Sequence, residues 1–261
     1  VKKALFLIVA ILLLAGLRGE TKIDYPSLDI ATLASYANSG DVGAQFEMGY
    51  RYDRGIGVPK SYSDAHKWYR MAADQGNVYA QNNIGAMYEH GDGVPQDYTE
   101  ALRWYRLAAD QGFAGAQLNI GIMYENGEGI PLDITEALKW YRLAAEQDNP
   151  VAQNIIGDIY YYGESVVQDY VEAMFWYLKA AALGNRDAQF MVGVLYYNGE
   201  GVVKNVEKAY FWMVVATSGP DAEVMSSYVK VRNEIAEELS KGKQNKMEKH
   251  AKVWLERHGL E

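Results

Sequence analysis

Hydrophobic positions along this chain fall in short stripes of helical spacing, broken at regular intervals by glycine-rich turns. In residues 80–115, Ile84, Met87 and Tyr88 stand three and four apart, the pattern of one face of an amphipathic helix. The segment His90-Gly91-Asp92-Gly93-Val94-Pro95 interrupts it. Its glycines permit positive φ, and proline cannot continue a helix. Apolar positions then resume at Ala101, Leu102, Trp104, Tyr105, Ala108 and Ala109, predicting a second helix. Asp97 with Glu100 three residues on predicts a capping box at its start, as do Asp133 with Glu136 and Asp169 with Glu172. Gln111-Gly112 ends the helix, since glycine suits a left-handed residue just past a C-terminus.

The same helix-turn-helix pattern recurs five times with a period of 36 residues and no insertion or deletion. Ala44-Gln45 opens the first copy and returns at Ala80-Gln81, Ala116-Gln117, Ala152-Gln153 and Ala188-Gln189. Trp68, Trp104, Trp140, Trp176 and Trp212 keep the same step. Such self-similarity predicts a stacked array, because one helical hairpin cannot bury its apolar face alone. Gly49, Gly85, Gly121, Gly157 and Gly193 lie within first helices, where glycine costs about 1 kcal/mol relative to alanine. Their recurrence predicts a close approach by a neighbouring helix. The pairs Ala72-Ala73, Ala108-Ala109, Ala144-Ala145 and Ala180-Ala181 fit the facing surface.

The motif Ala-Gln-x-x-hydrophobic-Gly-x-x-Tyr, then Gly-x-Gly-Val-Pro, then Ala-x-x-Trp-Tyr-x-x-Ala-Ala-x-Gln-Gly resembles the Sel-1-like repeat, a relative of the tetratricopeptide repeat. The resemblance covers Ala44 to about residue 223. It implies an all-α fold, a right-handed superhelical solenoid of antiparallel helix pairs, and a general role as adaptor or scaffold. Repeat four departs at Gly163-Glu164-Ser165-Val166-Val167, which lacks the second glycine and the proline. Repeat five has Val203 in place of proline and Met213 in place of tyrosine.

The flanks differ from the array. Lys2 and Lys3 precede an apolar run from Ala4 to Leu17, so residues 1–19 are expected to be a secretory signal. The run is short for a spanning helix. The alternative is retention as an N-terminal anchor in the inner membrane through residues 4–17. Residues 20–43 are expected to hold a capping helix over Leu28–Asn38, ahead of repeats at 44–223. Residues 224–261 are expected to form two capping helices. Met225, Tyr228, Ile235 and Leu239 mark one stripe, Met247, Ala251, Trp254 and Leu255 the other, with Lys241-Gly242-Lys243 between them.

Composition narrows the chemistry. There is no cysteine, which removes disulfides, thiolate metal sites and a thiol nucleophile. No Asn-x-Ser/Thr sequon occurs, favouring a bacterial periplasmic or secreted location over a eukaryotic secretory one. Net charge is −9, and residues from Glu20 onward carry 22 basic against 34 acidic groups, a net of −12. That balance argues against nucleic acid, whose phosphates want a basic surface. His66, His90, His250 and His258 form no metal-ligand spacing. The Gly-Asp-Gly and Gly-Glu-Gly turns follow helices and lack the Lys-Ser/Thr ending of a phosphate loop. Residues 89–100 have the length of a calcium loop, but Gly91 and Gly93 stand where oxygen ligands are required. No serine nucleophile elbow is present. A non-enzymatic scaffold without cofactor or metal is therefore expected, with a cell-wall-associated enzyme or enzyme accessory as the alternative.

Repeat arrays bind along the concave face, and the resemblance implies that first helices line it. The third, seventh, tenth and eleventh positions of each repeat share one side of that helix. From them the expected partner-binding residues are Asn82, Glu89 and His90 in repeat two, and Glu125 and Asn126 in repeat three. Repeat four contributes Asn154, Asp158, Tyr161 and Tyr162, and repeat five contributes Tyr197. Asparagines offer donor and acceptor to an extended backbone, and tyrosines are favoured anchors. The expected partner is a protein or peptide segment with some basic character. A membrane enters only through an uncleaved N-terminal segment.

Overall fold

A computed structural model describes residues 23–163, 165–218 and 226–260. The described residues hold α-helices and one 3-10 turn, with no strand among them. They divide into two compact units, Val1–Asn77 and Val78–Glu261. The expected signal segment lies outside the described residues.

The first unit has a 3-10 turn at Tyr25–Ser27, then α1 (Ile30–Asn38), α2 (Val42–Arg54) and α3 (Tyr62–Asp74). Helices α2 and α3 form a hairpin and α1 packs on α2. Leu33, Ala37, Ala44 and Met48 form its core. Arg51 is buried, pairs with Glu47 at 3.1 Å, and donates to the carbonyls of Tyr25, Pro26 and Leu28 at 3.2, 3.0 and 2.8 Å. One guanidinium thus ties the entering chain to the first repeat.

The second unit stacks four hairpins. They are α4 (Val78–His90) with α5 (Tyr98–Ala109), α6 (Ala114–Asn126) with α7 (Ile134–Ala145), α8 (Pro150–Tyr162) with α9 (Tyr170–Ala182), and α10 (Arg186–Asn198) with α11 (Val206–Ala216). Each second helix also packs on the next first helix, and α8 touches α10. Helices α12 (Ser226–Glu237) and α13 (Lys241–His258) both pack on α11.

The recurring glycines have a definite partner. A Cβ on Gly85, Gly121 or Gly157 would lie 2.6, 2.5 or 2.6 Å from the ring of Tyr105, Tyr141 or Tyr177. The close approach is therefore made by the tyrosine of the same hairpin. In repeat five the ring is replaced, and a Cβ on Gly193 would lie 2.8 Å from Met213 Cε. The turn glycines Gly91 and Gly93 take positive φ of 76° and 73°, which bends the chain from α4 into α5.

Two expectations need correction. The capping boxes are one-sided. Asp97, Asp133 and Asp169 accept the amides of Glu100, Glu136 and Glu172 at 3.0, 2.9 and 3.0 Å. The glutamates do not reach back, because the cap amides already donate to Tyr88, Tyr124 and Tyr160 carbonyls across the turn. Glu100 and Glu172 instead accept the indole N–H of Trp104 and Trp176, both at 2.9 Å. Lys241-Gly242-Lys243 is no separator: it forms the first turn of α13. The break falls earlier, at Glu238–Ser240, where Gln244 Nε2 reaches back to the Leu239 carbonyl at 3.0 Å.

Candidate interaction face

First helices α4, α6, α8 and α10 present their tenth and neighbouring positions on one face of the second unit. A carboxylate recurs there, and each is held by the tyrosine that packs on the recurring glycine. Tyr105 donates its hydroxyl to Glu89, and Tyr141 donates to Glu125. Tyr177 donates to Asp158 Oδ1 at 2.7 Å. Burial, then the adjacent carboxylate, pushes all three phenols far above the ordinary tyrosine range, so they remain donors. Among the described residues none of the three carboxylates has an ion-pair partner. The charge that the array presents here is oriented but not neutralised.

Glu125 and Asp158 come together across the boundary of repeats three and four. With Ile134, Ile155, Ile159 and Tyr162 they line a cavity of about 190 Å³. Asp158 Oδ2 also accepts Asn154 Nδ2 at 3.0 Å. Its carboxyl is pushed above the usual range, first by burial and then by the charges of Asp187 and Glu125. Asn154 Oδ1 is buried without a partner. Tyr162 is 60% exposed at the mouth, its ring edge-on to Tyr161 with centroids 5.0 Å apart.

The remaining expected residues are placed apart from this cavity. Asn82 accepts Asn119 Nδ2 at 3.0 Å. His90 is exposed at the end of α4, its Nδ1 2.8 Å from the Ala86 carbonyl. Asn126 is exposed at the end of α6. Tyr161 packs edge-on to Tyr170 and donates to Glu200 at 3.3 Å, its pKa raised to about 12 mainly by burial. Tyr197 donates to Glu238 at 2.5 Å, and Lys204 sits 4.7 Å above its ring, so its hydroxyl is engaged by the C-terminal cap.

Sequence reasoning missed Tyr105, Tyr141 and Tyr177 as partners of the face. The signal was present as a 16-residue spacing from Glu89 to Tyr105 and from Glu125 to Tyr141. It also missed Ile155 and Ile159. Among the described residues no group of three His, Asp or Glu is placed to hold a metal ion, and no helix is long and apolar enough to cross a membrane.

A family model of the Sel1 repeat matches five consecutive segments, residues 42–77, 78–113, 114–149, 150–185 and 186–217. Each segment opens on the first residue of a first helix. Among solved structures the chain is similar to c5321, a protective antigen present in uropathogenic Escherichia coli strains and displaying an SLR fold. The two are 42% identical with a TM-score of 0.68, over 72% of this chain and 40% of that one. The chain thus spans about two-fifths of the length of c5321. It is also similar to a Sel1 repeat protein from Oxalobacter formigenes, 29% identical with a TM-score of 0.69, over 86% of this chain and 99% of that one. No curated protein matches the sequence.

Proposed function

The chain belongs to the Sel1 repeat family, and on that premise we propose that it is an exported scaffold that holds a basic segment of a protein partner along the first-helix face of residues 78–261. One observation carries the reading. Glu89, Glu125 and Asp158 are held in place by tyrosine hydroxyls and not by cations. A carboxylate that accepts a phenol keeps both its charge and free lone pairs. Successive repeats therefore offer a row of negative charge, which favours and steers a positively charged partner. Export is supported by the lysines and apolar run at residues 2–17, and by the likeness to c5321, a protective antigen.

The test is affinity capture from the cell envelope, comparing the native chain with Glu89→Gln/Glu125→Gln/Tyr162→Ala. The expected result is a protein retained by the native chain, released by salt, and lost with the variant at nearly unchanged melting temperature. Equal retention by the variant would remove the face assignment. Retention on cell-wall glycan, with no protein partner, would replace the scaffold with an accessory of a cell-wall enzyme.

A further inference from the structure

The cavity between repeats three and four is built differently from every other repeat boundary in the second unit. The seventh position of a repeat is Ala86, Ile122 or Val194 elsewhere, and Asp158 only in repeat four. The tenth position of the preceding repeat is Glu125. At the boundary before it Glu89 meets the register of Ile122, and at the one after it Tyr161 meets that of Val194. Among the first-helix boundaries of this unit, the seventh position and the preceding tenth position are both carboxylates at this one alone.

The lining selects an occupant. About 190 Å³ is below the roughly 300–1,000 Å³ of sites for small organic ligands, and is the size of a single side chain. Three isoleucines and the exposed Tyr162 ring form its apolar wall. Glu125 and Asp158 supply charge of one sign. A purely apolar occupant would strip water from two carboxylates without compensation, which is costly. An anion would be repelled. A side chain with a hydrocarbon stem and a cationic end matches both halves, and its hydrogen bonds to carboxylates would be charge-assisted. Asp158 is also unfavourably placed while no cation is present, since burial and the neighbouring Asp187 and Glu125 charges raise the cost of ionising it. A break in a repeat's own pattern that costs local stability beside an open cavity points to a site.

We infer that this cavity receives one lysine or arginine side chain of the bound segment, its stem along Ile155, Ile159 and Tyr162 and its charged end between Glu125 and Asp158. The inference rests on the first-helix face being the partner-binding surface. It adds that this face reads one basic residue at a fixed place, with the row of carboxylates elsewhere acting only at long range.

The test uses the full chain and acetylated, amidated Ala-Ala-Xaa-Ala-Ala peptides, with arginine, lysine, citrulline or norleucine at Xaa. Binding is followed by NMR at the Ile155 and Ile159 methyls and the Tyr162 ring. The arginine or lysine peptide is expected to saturate these shifts with an affinity about tenfold or more above the neutral peptides, in line with hydrogen bonds to charged groups. Glu125→Gln and Asp158→Asn should each reduce that preference several-fold, and Glu89→Gln should not. Norleucine binding as well as lysine would overturn the charge reading. Basic peptides that shift Asn82 and Glu89 but leave Ile155, Ile159 and Tyr162 unmoved would overturn the cavity and leave the face standing. No basic peptide and no envelope partner on the first-helix face would overturn both.

Discussion

Replacing Leu183 by glutamine should stabilise the array, and the repeats themselves supply the magnitude. The second residue of each repeat is a buried glutamine. In repeats one to three its Oε1 accepts the side chain of a glutamine 30 residues later: Gln75 to Gln45 at 2.7 Å, Gln111 to Gln81 at 2.8 Å, and Gln147 to Gln117 at 2.8 Å. Repeat four has Leu183 at that place, and Gln153 Oε1 is left buried with no partner. Its amide is in use, donating to the Ala145 carbonyl at 3.0 Å. The backbone is already correct for glutamine, since Leu183 has φ −92° and ψ 9° where Gln75 has φ −91° and ψ 8°. An unmade buried acceptor costs about 1–3 kcal/mol. Against that, ordering glutamine in place of leucine costs about 1 kcal/mol more, while Leu183 is 44% exposed and gives up only part of a leucine's burial. The net expectation is a gain of roughly 0.5–1.5 kcal/mol, or a few degrees in melting temperature for a unit of this size. Urea and thermal unfolding followed by circular dichroism measure it, read as midpoints because long repeat arrays need not unfold in one step. The reverse change, Gln147→Leu, should cost about 1–3 kcal/mol by orphaning Gln117 Oε1. A neutral L183Q together with a harmless Q147L would refute the reasoning and point to a bound water as the acceptor's partner.

Two further changes fall on the hairpins of repeats three and four. Gly121→Ala should destabilise by about 1–2 kcal/mol, because its Cβ would lie 2.5 Å from the buried Tyr141 ring and overpacking outweighs the gain in helix propensity; a higher urea midpoint for the variant would disprove the contact. Asp158→Asn should stabilise the chain at neutral pH. The Asp158 carboxyl is raised by burial and by Asp187 and Glu125, so the folded state takes up its proton first as pH falls. Its charge therefore costs stability above the folded-state pKa, and that cost fades toward the unfolded value. The variant's advantage should shrink between pH 7 and pH 4, and an advantage independent of pH would refute the assignment.

The helices and turns were legible in the sequence because each is fixed by local chemistry. Ile84, Met87 and Tyr88 set one stripe, Gly91 and Gly93 set the bend, and Asp97 set the start of the next helix. The 36-residue period then fixed the stacking, since each hairpin lacks surface that only a neighbour supplies. What was not legible was which side chains meet across a hairpin. Asp97 followed by Glu100 reads as a reciprocal cap, but the cap amide was already claimed by Tyr88 O, a residue nine positions earlier. Tyr105 reads as a filler between helices, and its ring is one. Its hydroxyl nonetheless ends on Glu89, because Gly85 lets the ring lie flat enough to carry it there. The Glu-to-Tyr spacing was visible, but a spacing carries no direction until two helices are placed face to face.

The face residues divide on the same principle. Asn82, Tyr161 and Tyr197 share a helix side with the other face positions, and a shared side alone does not separate a contact from a support. The structure gives Tyr197 to Glu238 and Asn82 to Asn119, so both already have partners within the chain. Asp158 differs in kind. Its equivalents are tyrosine, alanine, isoleucine and valine, it stands beside a second carboxylate, and its Tyr177 and Asn154 hydrogen bonds do not cancel the cost of burial. Leu183 also departs from its equivalents and leaves an atom unsatisfied, but Gln153 itself is fully buried. A departure that only costs stability and a departure that costs stability beside an open cavity are different observations. The second is the one from which we infer the partner's charge at Asp158.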